Sequence, residues 1–409
     1  MKVGVDIRIL GKGRRTGVED YTINLLSHLL SVDRSNKYRL FYNGFRRPKL
    51  DYSWLKFRNV KLKVLRFPNR IFDLFLRFLR IPKIDKILNG VDLFLSPHFL
   101  LTPLSKSKLI VIFYDLSFVR FPEFFSLPKL LWHKFIYPRK QAQKADLVIT
   151  ISRSTKDDLI NLYKIKPEKI KVIYPGIDEK FRPVKRNEPA LIKIKEKYKL
   201  PDKFILYFGT IEPRKNLLGL IRAFEQIKEE KDLSPLQIQW RGFEGLVKEK
   251  QKEKTDLSDL KLVIAGSRGW LYKEVFKKVK DSLFGKDIIF TGFVEEEDKP
   301  YLYNLADVFV YPSFFEGFGL PPLEAMACGV PTIVSNKSSL PEVVGDSAIM
   351  VDPHNINEIS FIIRRILEDQ SLKDYLIDQG LKRVRKFNWN KVASEFLNIF
   401  KHYAHWYRC

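Results

Sequence analysis

The sequence predicts an α/β chain of two doubly wound halves, each a parallel sheet covered by helices on both faces. Three observations predict it. Short apolar runs rich in β-branched and aromatic residues recur along the 409 residues, and such runs read as buried strands. Stretches of helical period lie between them, the alternation expected of a parallel sheet. A charged, proline-bearing stretch from Glu179 to about Pro201 interrupts the series. The linker is placed there, with one half at 1–185, a second at 186–386 and a last segment at 387–409.

The elements follow in order. Lys2–Ile9 reads as the first strand, and Gly11–Gly17 as a basic glycine loop. Val18 to about Leu30 has helical period, with Tyr21, Leu25, Leu26, Leu29 and Leu30 on one side. Further strands are expected at Tyr38–Tyr42, Val91–Leu95, Leu109–Phe113 and Leu147–Ile151, and Val172–Asp178 reads as the closing strand and turn. In the second half, strands are expected at Phe204–Phe208, Leu262–Ala265, Ile288–Thr291, Val308–Tyr311 and Thr332–Ser335. Leu233 to about Leu260 reads as an insertion, with a Lys/Glu run from Lys248 to Lys254 forming a solvated helix or loop. Phe387–Cys409 reads as an amphipathic helix. No repeat and no low-complexity tail is evident.

The most informative stretch is Tyr311 to Ser335: strand, glycine turn, helix, glycine stop, strand. Gly317 and Gly319 let the backbone turn sharply and approach a ligand. Pro321 and Pro322 suit a first helical turn, where a missing N–H does little harm. Gly329 ends the helix and Pro331 prevents its continuation. Free N–H groups at such a helix start favour an anion. Glu316 and Glu324 bracket the turn, with seven residues between them. A carboxylate would repel a phosphate, so both are better suited to accept hydrogen bonds from hydroxyls. A nucleotide sugar offers hydroxyls on both sides of a diphosphate. The bland alternative is a helix start with ordinary acidic residues near its dipole.

A second junction, Phe208-Gly209-Thr210-Ile211-Glu212-Pro213-Arg214-Lys215-Asn216, puts two cations where a helix begins. Cations there oppose the dipole, so a negative ligand would rationalise them. The turns after Leu262–Ala265 (Gly266) and within Phe290–Val294 either read a base through their peptide groups or simply reverse the chain.

Charge is unevenly spread. Residues 1–185 carry 38 Lys and Arg against 16 Asp and Glu, a net of +22; residues 186–409 carry 35 against 32, a net of +3. The first half therefore expects an anionic partner, acidic lipid or nucleic acid. Arg70–Arg80 and Pro122–Arg139 mix aromatic and basic residues; such helices pack as core or lie on a membrane surface. The two cysteines, Cys328 and Cys409, suggest no disulfide framework, which fits a reducing cytoplasm. No signal peptide or membrane span is read. His402 and His405 lack a third ligand nearby, so no metal is expected.

The Glu316–Glu324 segment resembles the donor-binding signature of glycosyltransferase family 4, the group 1 retaining glycosyltransferases of GT-B fold. That resemblance implies two Rossmann-like domains, a nucleotide-sugar donor and no metal or other cofactor. It implies that Glu316 contacts the donor hexose and Glu324 the ribose hydroxyls. The amides of Gly317, Phe318, Gly319 and Leu320 would meet sugar and diphosphate. Arg214-Lys215 resembles the family's diphosphate-binding stretch, although Thr210 stands where some members carry an arginine. Gly266 and Val294 would lie at the base, and Gly17 in a loop approaching the diphosphate. Tyr114-Asp115-Leu116-Ser117-Phe118 stands where family members often have His-Asp-Leu-Ser-Phe. Tyr114 is a poor base, with a reference pKa of about 10. His98, after another strand end, is a candidate to supply an imidazole on the acceptor side; a satisfied structural histidine is the simpler reading. In the family the final helix crosses back onto the first domain.

The resulting expectation is a retaining, metal-independent hexosyltransferase of surface-polysaccharide assembly. GDP-mannose is the guessed donor and a glycan or lipid-diphosphate-linked glycan the acceptor. It would be cytoplasmic and peripheral on an anionic membrane. The alternatives are a basic nucleic-acid-binding protein, which leaves the paired glutamates unexplained, and a GT-B phosphorylase or epimerase.

Overall fold

A computed structural model describes residues 1–11, 17–45, 50–230 and 256–406. Most of the basic glycine loop before Gly17, most of the 233–260 insertion with its Lys/Glu run, and Cys409 lie outside the described residues. The chain forms two compact units. The first holds Met1–Pro122, Leu127–Gly176 and Phe387–Cys409; the second holds Glu123–Ser126 and Ile177–Lys386.

The first unit has seven described strands: β1 Lys2–Asp6, β2 Lys37–Asn43, β3 Val60–Leu65, β4 Leu93–Ser96, β5 Lys108–Phe113, β6 Leu147–Thr150 and β7 Ile170–Val172. All pairings are parallel, in the order β3-β2-β1-β4-β5-β6-β7. The second has six: β8 Phe204–Phe208, β9 Lys261–Ala265, β10 Ile288–Gly292, β11 Val308–Tyr311, β12 Thr332–Ser335 and β13 Ile349–Val351. They too pair only in parallel, in the order β10-β9-β8-β11-β12-β13. The strands β8, β11 and β12 are buried throughout, Phe-Ile-Leu-Tyr-Phe in β8. Continuous apolar runs are what a sheet covered on both faces requires.

Each sheet reverses direction once, between β1 and β4 in the first unit and between β8 and β11 in the second. Loops leaving the carboxyl ends of such a pair diverge and leave a crevice, the usual ligand position in open α/β sheets.

Several elements differ from the sequence reading. The first strand stops at Asp6 because Arg8 folds back on the Asp6 carboxylate, with Nη2 to Oδ2 at 2.6 Å. β3 was not expected: Val60-Lys61-Leu62-Lys63 alternates lysine with apolar residues, as suits a sheet edge. β13 is only three residues long and was also missed. The division between units falls at Gly176/Ile177, not at 185/186, and Pro189–Tyr198 is a helix inside the expected linker. Side-chain packing explains the shift. Phe181 meets Tyr303 with ring centroids 6.0 Å apart, and the Val184 amide donates to Asn304 Oδ1 at 2.7 Å, tying the segment to the second unit.

The last helix, Trp389–Trp406, belongs to the first unit. It packs on the helix Gly17–Val32, where Trp389 lies 5.3 Å from the Tyr21 ring. Gly176 makes this close approach possible: a Cβ there would lie 2.3 Å from the Trp389 amide nitrogen.

Candidate functional site

The second unit gathers its candidates at the carboxyl ends of β8 and β11. Pro213–Lys215 forms a 3-10 turn after β8. Asn216 follows in the left-handed region at φ 55° and is held there by a hydrogen bond from Nδ2 to Pro353 O at 2.6 Å. That turn aims Lys215 inward: its Nζ donates to the Tyr311 hydroxyl at 2.7 Å and to Glu316 Oε1 at 2.5 Å. Its third N–H has no acceptor among the described residues.

Arg214 spends its fork differently. Nε and Nη2 donate to Glu212 Oε1 at 3.1 and 2.7 Å, while Nη1 donates to Phe315 O at 2.8 Å and Glu316 Oε2 at 3.0 Å. The guanidinium thus ties the β8 loop to the β11 loop, a bond reinforced by the Phe314 amide donating to Arg214 O at 2.9 Å. Both oxygens of Glu316 therefore face cations. Glu316 is 6% exposed and Glu212 2%. Burial pushes the Glu316 carboxyl up, but the Arg214 and Lys215 charges more than reverse this and hold it at about 2. It is ionised at neutral pH. Burial pulls the Lys215 ammonium below the ordinary lysine range, against the attraction of Glu316.

The turn carrying Glu316 is strapped from a third loop, after β12. The Glu316 amide donates to Ser338 Oγ at 2.8 Å, and Ser339 Oγ donates to Glu316 O at 3.0 Å and Phe318 O at 2.8 Å. Ser338 adopts φ 52° to make this contact, a conformation disfavoured for a non-glycine residue that recurs at ligand sites. Gly319, at φ 111°, turns the chain into the helix Leu320–Ala327. Pro321 and Pro322 have no N–H, so the early donors of this helix come from Gly319, Leu320 and Leu323. Gly317 and Phe318 lie in the same turn. Glu324 sits one turn further on, half-buried, accepting the Tyr303 hydroxyl at 2.7 Å. Burial raises its carboxyl above the ordinary glutamate range. The two glutamates are thus electrostatically opposite: one is held as a carboxylate by cations, the other is pushed towards its neutral form.

Gly266 and Val294 stand at the ends of β9 and β10, where the Gly266 amide donates to Gly292 O at 2.9 Å. Gly266 has φ 130°, and a Cβ there would lie 2.1 Å from Gly209 O. The β8 and β9 loops can pass only because no side chain is present. Val294 is buried, and the neighbouring Phe293 is 53% exposed.

In the first unit, His98 follows β4 and Tyr114 follows β5, with ring centroids 6.2 Å apart. Tyr114 also meets Tyr21 edge-on at 5.3 Å, beside the helix that Gly17 opens. The structure therefore brings His98, Tyr114 and that helix together at the carboxyl end of the sheet. Burial pushes the Tyr114 phenol well up, so it remains a neutral donor. Asp115 is turned to the backbone: its Oδ1 accepts from the Ser117 amide at 2.9 Å and hydroxyl at 2.6 Å. His133, which sequence reasoning passed over, stacks on Phe118 at 3.8 Å, and burial lowers its pKa to about 4.

Glu212, Tyr311, Ser338 and Ser339 were also not singled out. Glu212 had a signal, lying two residues before Arg214. The serines had none, since they reach Glu316 only when the chain folds. Among the described residues no group of His, Cys, Asp and Glu is arranged to hold a metal ion.

The family model described as Glycosyl transferases group 1 matches residues 191–383, and that of Glycosyltransferase Family 4 matches residues 15–181. O-antigen chain mannosyltransferase B of Escherichia coli is 31% identical over 319 residues, covering 78% of this chain and 74% of that one. Serotype-specific mannosyltransferase WbdA of Escherichia coli is 35% identical over 251 residues, 61% of this chain but 28% of the relative. Sucrose-phosphate synthase from Thermosynechococcus elongatus matches in structure with a TM-score of 0.74 over 98% of both chains, at 19% identity, a likeness of fold. The two parallel-sheet units, the glutamate pair at the β8/β11 reversal and these matches agree: the chain belongs to the group 1 glycosyltransferases, glycosyltransferase family 4, with the GT-B fold.

Proposed function

We propose that this enzyme is a retaining, metal-independent mannosyltransferase that moves mannose from GDP-mannose to a lipid-diphosphate-linked glycan in surface-polysaccharide assembly. The observation that carries the transferase reading is the Glu316 carboxylate clamped between Lys215 and Arg214 beside the start of the helix Leu320–Ala327. The mannose and polysaccharide assignments draw support from the two mannosyltransferase relatives.

In this reading Glu316 accepts hydrogen bonds from donor-sugar hydroxyls, and Glu324 from the ribose. Gly266 and Val294 frame the base. Arg214 positions Glu316, since most of its donors are committed to Glu212, Phe315 O and Glu316 itself. Lys215 and the amides of Gly319 and Leu320 stabilise charge that grows on the departing diphosphate, in a partly dehydrated site where such groups act strongly. The bond from the anomeric carbon to the diphosphate oxygen breaks. The acceptor hydroxyl oxygen attacks the same face, and its proton passes to the departing phosphate oxygen. His98, Tyr114 and Asp115 are assigned to the acceptor side. The lipid carrier would present the acceptor at the anionic inner face of a membrane.

The test is transfer of labelled mannose from GDP-mannose to a lipid-diphosphate-linked glycan in the presence of a chelator, with the anomer of the product read by NMR. An α-linked product at full rate is expected. A β-linked product, or loss of activity on chelation, overturns the corresponding part of the proposal.

A further inference from the structure

The first unit leaves a large apolar surface bare. The helix Asn69–Leu74 continues into a π-helical turn, Phe75–Leu79. Phe72 and Leu76 anchor it, 2% and 3% exposed. The opposite face shows Leu74, Phe78 and Leu79 to solvent, Phe78 at 71%. A second helix, Leu127–Ile136, exposes Leu127, Leu131 and Trp132, Leu127 at 67%. The two segments adjoin: the Arg77 guanidinium lies over the Tyr137 ring, with Cζ 3.5 Å from its centroid. Core packing, one of the two readings open from sequence, is therefore not what these faces do.

The same segments are strongly basic. Residues 66–83 hold Arg66, Arg70, Arg77, Arg80 and Lys83 against a single acid, Asp73. Residues 127–140 hold Lys129, Lys134, Arg139 and Lys140 with no acid. We infer that this joint face is the docking surface for an anionic lipid bilayer. Exposed Phe, Leu and Trp side chains enter the boundary between headgroups and acyl chains while Arg and Lys meet acidic headgroups. Two copies of the chain would bring like charges together here, which disfavours self-association. Nucleic acid would match the charge but leave the aliphatic side chains without a partner. The inference gives a location to the membrane partner proposed above, and it stands whichever sugar is transferred.

The test is flotation of the full chain with vesicles of phosphatidylcholine, with and without phosphatidylglycerol. Two double variants are compared, Phe78→Ser with Leu131→Ser and Arg70→Glu with Lys134→Glu; all four side chains are exposed, and thermal melts confirm that the variants fold. Wild type should bind the anionic vesicles at least about tenfold better than the neutral ones, and each variant should lose about tenfold or more. Equal binding to both vesicle types, or variants that float like wild type, overturns the inference. So does a dimer that Phe78→Ser dissociates, or RNA binding that survives loss of the apolar residues. Transfer to a water-soluble acceptor, measured alongside, should be unchanged in both variants. A loss there with vesicle binding intact would count against the catalytic reading instead.

Discussion

Replacing Glu316 by Gln removes the negative charge that two buried cations share. Its contribution can be worked from its titration. The carboxyl is held at about 2 against an ordinary 4.5, and a pH unit corresponds to about 1.4 kcal/mol, so the charged form stabilises the fold by about 3–4 kcal/mol. This is close to the ~3–5 kcal/mol typical of breaking a buried pair by removing one partner. The lower end is expected here, because Arg214 keeps Glu212 and Phe315 O, Lys215 keeps the Tyr311 hydroxyl, and Gln retains one acceptor oxygen. For a unit of this size about 1 kcal/mol moves Tm by about 2–4 °C, giving a loss of about 6–12 °C with the fold intact. Under the proposed function turnover should fall about 10²–10³-fold, because the carboxylate proposed to orient the donor sugar is altered while the proposed diphosphate site remains. Nucleotide diphosphate should still stabilise the variant, by about 2.7 kcal/mol at a hundredfold excess over Kd. The assay is transfer rate beside a thermal melt with and without nucleotide. Near-normal turnover in a folded variant would refute the role given to Glu316. The pH dependence has a fixed sign: a depressed carboxyl stabilises fully above 4.5, and that stability is lost as pH falls from 4.5 through about 2. The Gln variant should lack that acid step.

Three further outcomes are expected. Arg214→Lys should lower kcat with little change in donor KM, because lysine cannot join Glu212, Phe315 O and Glu316 at once; a change confined to KM would return Arg214 to the phosphate. The raised pKa of Glu324 means that donor KM should climb on the acid side at a pH above the ordinary glutamate range, and Glu324→Gln should flatten that limb of the pH–KM profile. His133, held neutral down to about 4, contributes stability that is full above 6.5 and lost as pH falls from 6.5 through about 4. Chemical denaturation across that window should show this slope, and His133→Phe should remove it.

The fold was legible because its strands are buried on both faces, so β8, β11 and β12 carry the apolar signal without interruption. β3 was not, because its lysines face solvent at the sheet edge and break that signal. The reversal between β8 and β11 has no sequence signature, since strand order is fixed by three-dimensional pairing; yet it is what places Arg214-Lys215 beside Glu316. Glu316, Glu324 and Lys215 could be named from their glycine turns. The way they are joined could not. The sequence reading gave Arg214 and Lys215 to the diphosphate; the folded chain also joins both to Glu316, and Arg214 to Glu212, links that no local pattern announces. Ser338 and Ser339 reach that turn from beyond β12, a contact that no local pattern encodes. That apolar side chains of Arg70–Arg80 and Pro122–Arg139 face solvent likewise needed structure, because core-facing and solvent-facing apolar stripes share one period.

The central claim is that the crevice between β8 and β11 holds a nucleotide sugar, and ligand-induced thermal stabilisation tests it most directly. Across a panel of nucleoside diphosphates and their sugars, GDP and GDP-mannose should raise Tm, with a smaller shift in Lys215→Met. No shift with any nucleotide diphosphate or nucleotide sugar would contradict the account.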